Sequence, residues 1–434
     1  MHTLRVTLKQ HTPLIHFQHD QDGATLRASE VKPKLDRFIL TKLGNGNYQE
    51  GVKQAKANGW LVGKGEHPAL DYKMRIVAEG KRQEYMLASY IKPEFVQNLG
   101  THGITAISNT PFFAQEKQNT AIRKSRNPQN EWNRIEKKGL LINGDIILSV
   151  IVKDKVLSDK INSFIQSYFV ANNYGTRQSK GFGCFTVTEL MIDEQKQDLR
   201  NYEDLLKENF LFVYKKSLNM QNAQSLQGVS TILQTINEDY KLLKSGLTRP
   251  YAISKLMLYA DSLNGNIGWD KKYIKVNTND VFDTEDGDCY VLKCKPEHRQ
   301  ESYSTKKDYF YYRALLGLAE QFEFLLENPP QGDDRNKMIV KVRSEDIQRY
   351  QSPLLFKVYE NNIYLVGNKV SSDMLNKPFD FLVSFQQDDG YENESVSADG
   401  SPIFTPSDFS LKDFVKFAMK DNHNGRLNYQ MIKE

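Results

Sequence analysis

Cysteine is scarce: three residues among 434, an odd number and too few to build a disulfide framework, which points to a reducing compartment. Long apolar runs are missing too. Nowhere do about 18 apolar residues follow one another, so no helical membrane span is expected. The opening MHTLRVTLKQHTPLIHF alternates with polar and charged residues from the start, the opposite of a signal peptide, and a cytoplasmic chain without a membrane partner is expected. Excess charge of one sign is small: 58 Lys and Arg against 54 Asp and Glu give a net +4. Bulk charge therefore selects no partner, and the positions of the cations have to.

With 39% hydrophobic and 26% charged residues, the chain has the composition of a globular protein and the length of two or three domains. Leu4, Val6 and Leu8 alternate with Arg5, Thr7 and Lys9, the period of a strand with one wet face. In ASEVKPKLDRFILTKLG, Val31, Leu35, Phe38, Ile39 and Leu43 recur at helical spacing until Gly44. Ser29 is a candidate N-cap for this helix, and Pro33 an alternative starting point. KMRIVAEG reads as a strand, and LLINGDIILSVIV as a hairpin or paired strands about Asn143-Gly144. LSDKINSFIQSYFV sets Leu157, Ile161, Phe164, Ile165 and Phe169 on one helical face, and FTVTELMI follows as a strand.

A comparable cycle restarts near residue 210 with FLFVYKKSL as a strand. A helix follows, carrying Val229, Ile232, Leu233, Ile236, Tyr240 and Leu243. CYVLKCK reads as a strand, YYRALLGLAEQFEFLL as a helix, KMIVKV, LLFKVYENNIYLVG and FLVSF as strands, and FSLKDFVKFAMKD as a closing helix. QKQDLRNYEDLLKEN fits a linker or a surface helix, and QQDDGYENESVSADGSP a flexible surface loop. The pattern is α+β, in two related domains divided between 195 and 210.

Between the second helix and its strand lies NNYGTRQSKGFGCFTV, with three glycines, Arg177 and Lys180. Gly175 is placed to stop the helix. Gly181 and Gly183 give the backbone positive φ and close approach to a ligand, and successive amides in such a turn attract anions. Phe182 either stacks on an exposed base or packs beneath the loop. The competing reading is an ordinary loop with a solvated basic tip. The order helix, loop, strand is the reverse of what a Walker or dinucleotide loop needs. A second basic set, Arg27, Lys32, Lys34 and Arg37, surrounds a helix start that itself attracts anions, or forms a solvated face. Residues 117–138 carry seven cations (Lys117, Arg123, Lys124, Arg126, Arg134, Lys137 and Lys138) against Glu131 and Glu136, and read as a mobile basic arm.

These motifs together resemble the RAMP superfamily of CRISPR effector proteins. Thr12-Pro13-Leu14, then Leu26, Ser29, Lys32 and Arg37, is similar to the family's early motif, and NYGTRQSKGFG resembles its glycine-rich loop. Pro33 stands where that early motif usually has glycine. Tyr312-Arg313, Leu316-Gly317-Leu318 and Arg349 with Ser352-Pro353-Leu354 resemble the first subunit of the type III-B Cmr RNA-targeting complex. The resemblance implies two ferredoxin-like (RRM-like) domains with antiparallel sheets and packed helices. The first would span 1–195 with the glycine-rich loop, and the second 196–434 with additional helices. It implies a non-catalytic, RNA-binding role in antiviral defence, in contact with the 3′ part of a guide RNA or a guide–target duplex and with other complex subunits. Arg27, Ser29, Lys32, Lys34 and Arg37 would meet backbone phosphates at the first helix. Gly175, Thr176, Arg177, Ser179, Lys180, Gly181, Phe182 and Gly183 would cradle the RNA backbone, reading its shape rather than its bases.

The enzymatic alternative is a RAMP-type endoribonuclease processing guide RNA, with His16 or His19 as acid or base, because related processing enzymes use a histidine in this way. On a strand His11 and His19 share a face and His16 takes the other. Cys289 and Cys294 lack the further pair a zinc site needs, and Asp283, Glu285, Asp286 and Asp288 lack the closing glutamate of a calcium loop. No metal or other cofactor is expected.

Overall fold

The computed structural model describes residues 1–15, 25–63, 68–79, 81–87, 105–107, 138–248, 250–264, 266–281, 308–325, 337–387, 390–395, 402–420 and 425–434. Two antiparallel sheets organise the chain, each built in the same order.

The first uses β1 (His2–Gln10), β2 (Tyr72–Ala78), β3 (Ile146–Val152) and β4 (Phe185–Ile192) in the order β4-β1-β3-β2, with a short strand Gln195–Lys196 beside β4. Helices α1 (Ala28–Leu43) and α3 (Lys155–Ala171) occupy the two crossovers, and α2 (Tyr48–Ala57) follows α1. Successive residues of a strand point to opposite faces, so one face of β1, with Leu4, Val6 and Leu8, is buried in a core with Val31, Leu35 and Ile39 of α1 and Ile161, Ile165 and Phe169 of α3.

The helix boundaries have local causes. The helical stretch of α1 begins at Ala28 behind an extended Arg27, so Pro33 lies inside it; both expected starting points, Ser29 and Pro33, are corrected. The glutamate and valine amides at the first turn bond to the Arg27 carbonyl, which fixes the start upstream of the proline. Asp154 caps α3, its carboxylate accepting from the Leu157 amide at 2.8 Å. This helix ends at Ala171 with Asn172 extended, so Gly175 is not its stop. Nor is Asn143-Gly144 a hairpin turn. Strand Lys138–Asn143 pairs with Lys81–Leu87 while β3 pairs with β1 and β2, so the dipeptide is a bend within a long two-stranded ribbon.

The second sheet repeats the scheme with β5 (Phe212–Ser217), β6 (Leu354–Tyr359), β7 (Asn362–Gly367) and β8 (Gln430–Lys433), ordered β8-β5-β7-β6. The ambiguous 195–209 stretch contains helix α4 (Tyr202–Asn209), capped by Asn201. Helix α5 (Leu226–Lys244) follows β5, and α8 (Leu411–Lys420) precedes β8. Between α5 and β6 the chain inserts α6 (Lys255–Asn264), α7 (Asp270–Val281) and strands Gln321–Leu325 and Lys337–Arg343, which join a further sheet with Pro378–Gln387. The helix expected over 311–326 is instead a 3-10 turn at Tyr312–Leu316 followed by a strand. Gly317 at φ 101° breaks the helical path, and Gln321–Leu325 finds a ladder partner in Lys337–Arg343. Part of the expected flexible loop, Gly390–Ser395, forms a strand against Pro378–Gln387. Helix α8 is not the closing element: the four-residue β8 follows it. The expected strand CYVLKCK, residues 289–295, lies outside the described residues.

The halves are packed together. Val170 of α3, Leu205 and Leu206 of α4, Val213 of β5 and Tyr364 and Val366 of β7 form one apolar cluster. Beside it Lys357 of β6, fully buried, donates to the carbonyls of Phe169 and Asn172 and to Oδ1 of Asn173, at 3.2, 2.6 and 2.7 Å. A lysine of the second sheet thus satisfies carbonyls at the C-terminal end of a helix of the first, where the helix leaves them without partners. Burial lowers its pKa to about 8.

Candidate nucleic-acid interface

The segment 172–184 runs from the end of α3 to β4 along the seam between the halves. Its three glycines do adopt positive φ: 76° at Gly175, 78° at Gly181 and 65° at Gly183. What approaches them is the protein itself. A Cβ on Gly183 would lie 2.0 Å from the Tyr174 carbonyl oxygen, and one on Gly181 2.6 Å from Cδ1 of Ile236 on α5. The amides are largely engaged as well. Thr176 donates to Ile15, Gly183 to Pro13, and Tyr174 to Gly183, between 2.8 and 3.0 Å. Cys184 donates to the Thr12 hydroxyl at 3.0 Å. The expected amide cradle across 175–183 is therefore narrower than its glycines suggested.

Arg177 itself takes a left-handed φ of 58°, and its carbonyl accepts from the Lys180 amide at 2.9 Å, closing a tight turn. Within that turn the consecutive amides of Gln178 and Ser179 have no acceptor among the described residues. The Ser179 carbonyl accepts from the Phe356 amide of β6, so the tip is anchored to the second sheet. Phe182 is buried beneath the loop, its ring facing the Arg177 guanidinium at 6.0 Å, which settles its two readings in favour of packing. Lys180 places its ammonium over the Tyr240 ring of α5 at 4.9 Å. Burial holds the Lys180 pKa well below its ordinary value, and Arg177, Lys244 and Lys241 push the same way. Burial lowers Arg177 to about 9, which leaves it charged at neutral pH.

The first-helix motif meets this loop. Glu30 of α1 accepts from the Gly175 amide at 3.1 Å, while Lys34 pairs with the same carboxylate at 3.3 Å and lies over the Tyr174 ring at 5.3 Å. Two motifs 145 residues apart are thus joined by one hydrogen bond. Lys32 turns inward to Asp36 at 2.7 Å and to the Leu70 carbonyl, so its charge is already neutralised inside the fold. Arg37 lies 5.8 Å from the Tyr48 ring, one turn farther along. Arg27 and Ser29 stand at the helix start.

His11 is buried against Thr186, 2.7 Å from its hydroxyl, and burial lowers its pKa to about 3. A neutral, enclosed imidazole has no part in surface acid–base chemistry. His16, His19, residues 117–137 of the basic arm, the cluster Asp283, Glu285, Asp286 and Asp288, and Cys289 and Cys294 lie outside the described residues. Composition did not single out Lys241 and Lys244. Their positions in the last turn of α5 read as ordinary partners of a helix C-terminus.

Among solved structures, Cmr1 from Pyrococcus furiosus in its apo form is 9% identical to the chain, covers 100% of it and is itself covered to 99%, with a TM-score of 0.38. The type III-B Cmr-beta complex bound to cognate target RNA contains a chain 11% identical, with coverages of 85% of this chain and 94% of that one and a TM-score of 0.36. Likenesses this loose carry no argument alone. No curated protein sequence matches. Among the described residues no helix is long and apolar enough to cross a membrane. The family profile of the Cmr1 N-terminal domain matches residues 1–247 and that of the Cmr1 C-terminal domain residues 251–433, and together they show that the chain belongs to the Cmr1 family.

Proposed function

We propose that the chain is a non-catalytic, RNA-binding subunit of a type III-B CRISPR effector complex acting in the cytoplasm. It holds the backbone of a guide RNA, in its 3′ part, or of a guide–target duplex along the edge formed by the loop tip and the start of α1. The observation that carries this reading is the Glu30–Gly175 hydrogen bond, which brings both basic motifs to one edge. Arg177 and Lys180 supply cations there, the Gln178 and Ser179 amides supply donors, and Arg27, Ser29, Lys34 and Arg37 extend the contact. Thr176, Gly175, Gly181, Phe182 and Gly183 shape the loop, and Lys32 fixes α1 through Asp36. Both sheets follow the order β-α-β-β-α-β, which supports reading the halves as ferredoxin-like domains of 1–195 and 196–434. The family's own division falls later, between 247 and 251. Other subunits of the complex and target RNA are the partners of this reading.

Filter binding of guide RNA over a salt series tests it. Arg177→Ala with Lys180→Ala is expected to weaken binding irrespective of sequence and to lower the slope of log affinity against log salt by about 1.4, at about 0.7 per lost phosphate contact. Unchanged affinity and slope would remove the loop from the site. Repeat RNA incubated with the protein and EDTA is expected to stay intact; a cleavage product would favour the histidine nuclease instead.

A further inference from the structure

Several buried or half-buried cations of the fold have carboxylates, while the buried Lys357 is held by three neutral oxygens instead. Lys216 pairs with Asp239 at 2.9 Å, Arg313 with Asp270 at 2.7 Å and Lys32 with Asp36 at 2.7 Å. The seam beside the loop is where three cations gather. Lys180, Lys241 and Lys244 have no carboxylate within ion-pair distance among the described residues. The acids that act on them are already engaged: Glu238, beside Lys241, with Arg426 at 3.1 Å, and Asp270, beside Lys244, with Arg313 at 2.7 Å. Among the described residues Lys244 has a neutral acceptor, the carbonyl of Gly317.

The geometry gathers these charges. The Tyr240 hydroxyl donates to the Leu316 carbonyl at 2.8 Å, which fixes the ring. Two ammoniums from different halves lie close to the ring, Lys180 at 4.9 Å and Lys244 at 5.8 Å. Lys241 stands one turn from Lys244 on α5, half-buried at the rim. Gly181 seats the loop directly on α5 at Ile236. A pair of lysines in a last turn suits the helix dipole, yet the dipole gives no reason for a third cation from the other half beside them. Uncompensated charge in a partly dry setting has to be relieved by deprotonation or by an external anion. Burial does lower Lys244 to about 7, with Arg313 adding to the effect and Asp270 opposing it.

We infer that the second half supplies one side of the RNA seat: Lys241 at the rim, backed by Lys244, faces Lys180 across the seam and binds a phosphate adjacent to the one held by the loop tip. This inference rests on the RNA-binding reading above, and it makes the seat a property of both halves together. Its ligand is a phosphodiester strand, recognised by charge and spacing, with no demand on the bases.

The test uses the full chain, single-stranded oligouridylate and a salt series, with thermal unfolding to show that each variant is folded. Lys241→Gln alters a rim residue. It is expected to weaken binding several-fold and to lower the salt slope by about 0.7. Its effect should shrink in the Arg177→Ala, Lys180→Ala background, because a strand released from the tip no longer presents its next phosphate. If Lys241→Gln binds with wild-type affinity and slope while the loop variant is weakened, the composite seat is overturned and the RNA-binding reading stands. If neither variant is weakened, both are overturned.

Discussion

Single lysines in this fold do three different jobs, and the environment of each nitrogen decides which. Lys32 closes an internal ion pair, Lys180 and Lys241 have no carboxylate partner among the described residues, and Lys357 fastens one half to the other through neutral oxygens. Lys357→Met would take the ammonium from the buried Phe169 and Asn172 carbonyls and leave Asn173 Oδ1 with the Cys184 thiol alone among the described residues. A loss of about 2–4 kcal/mol in unfolding free energy is expected at pH 7, read from urea unfolding. The pH dependence has a definite sign. Lys357 titrates near 8 in the folded chain and near 10.4 unfolded, so between those values the unfolded chain binds more protons. Stability contributed by this group therefore rises with pH across that window, and the variant should lose that part of the slope. Equal stability of the two proteins at pH 7 would contradict the clamp. None of this was legible beforehand, because Lys357 stands within LLFKVYENNIYLVG as one cation in a plain strand pattern. Its partners lie more than 180 residues away.

At the scale of elements, helices with a strong apolar period could be read directly. The stripe Val31, Leu35, Ile39 buries as the spacing requires, and so do Leu157, Ile161 and Ile165 in α3 and Ile232, Ile236 and Leu243 in α5. What failed was decided by partners distant in sequence. Gln321–Leu325 became a strand because Lys337–Arg343 lies alongside, and β8 is too short to announce itself without β5. The glycine loop shows the same division. Its positive φ values followed from the residue types, but the atoms filling the space above its glycines did not. Gly183→Ala sets a Cβ against main-chain atoms of Tyr174, whereas Gly181→Ala meets the end of the flexible Ile236 side chain. Both carry a backbone penalty of about 1–2 kcal/mol for the left-handed conformation. Gly183→Ala is expected to cost clearly more, so its melting temperature should fall below that of Gly181→Ala. The reverse order would mean that the loop is held differently.

Across the whole molecule, two sheets of one topology are joined by a seam that is apolar around α4 and polar around Lys357, with cations gathered where the glycine loop meets α5. The sequence showed two related halves and a basic loop. It could not show that the loop belongs to both halves, since Lys180 and Tyr240 meet only through the packing of one sheet's connection on the other sheet's helix. A polyanion bound there would neutralise charges that the fold leaves exposed to one another, which is the central claim of this account. The most direct measurement is photo-crosslinking of guide RNA to the protein in the assembled complex, with the linked peptides identified by mass spectrometry. Crosslinks are expected on the peptide carrying Arg177 to Lys180 and on the one carrying Lys241. Crosslinks confined to other surfaces, with both peptides unmodified, would contradict it.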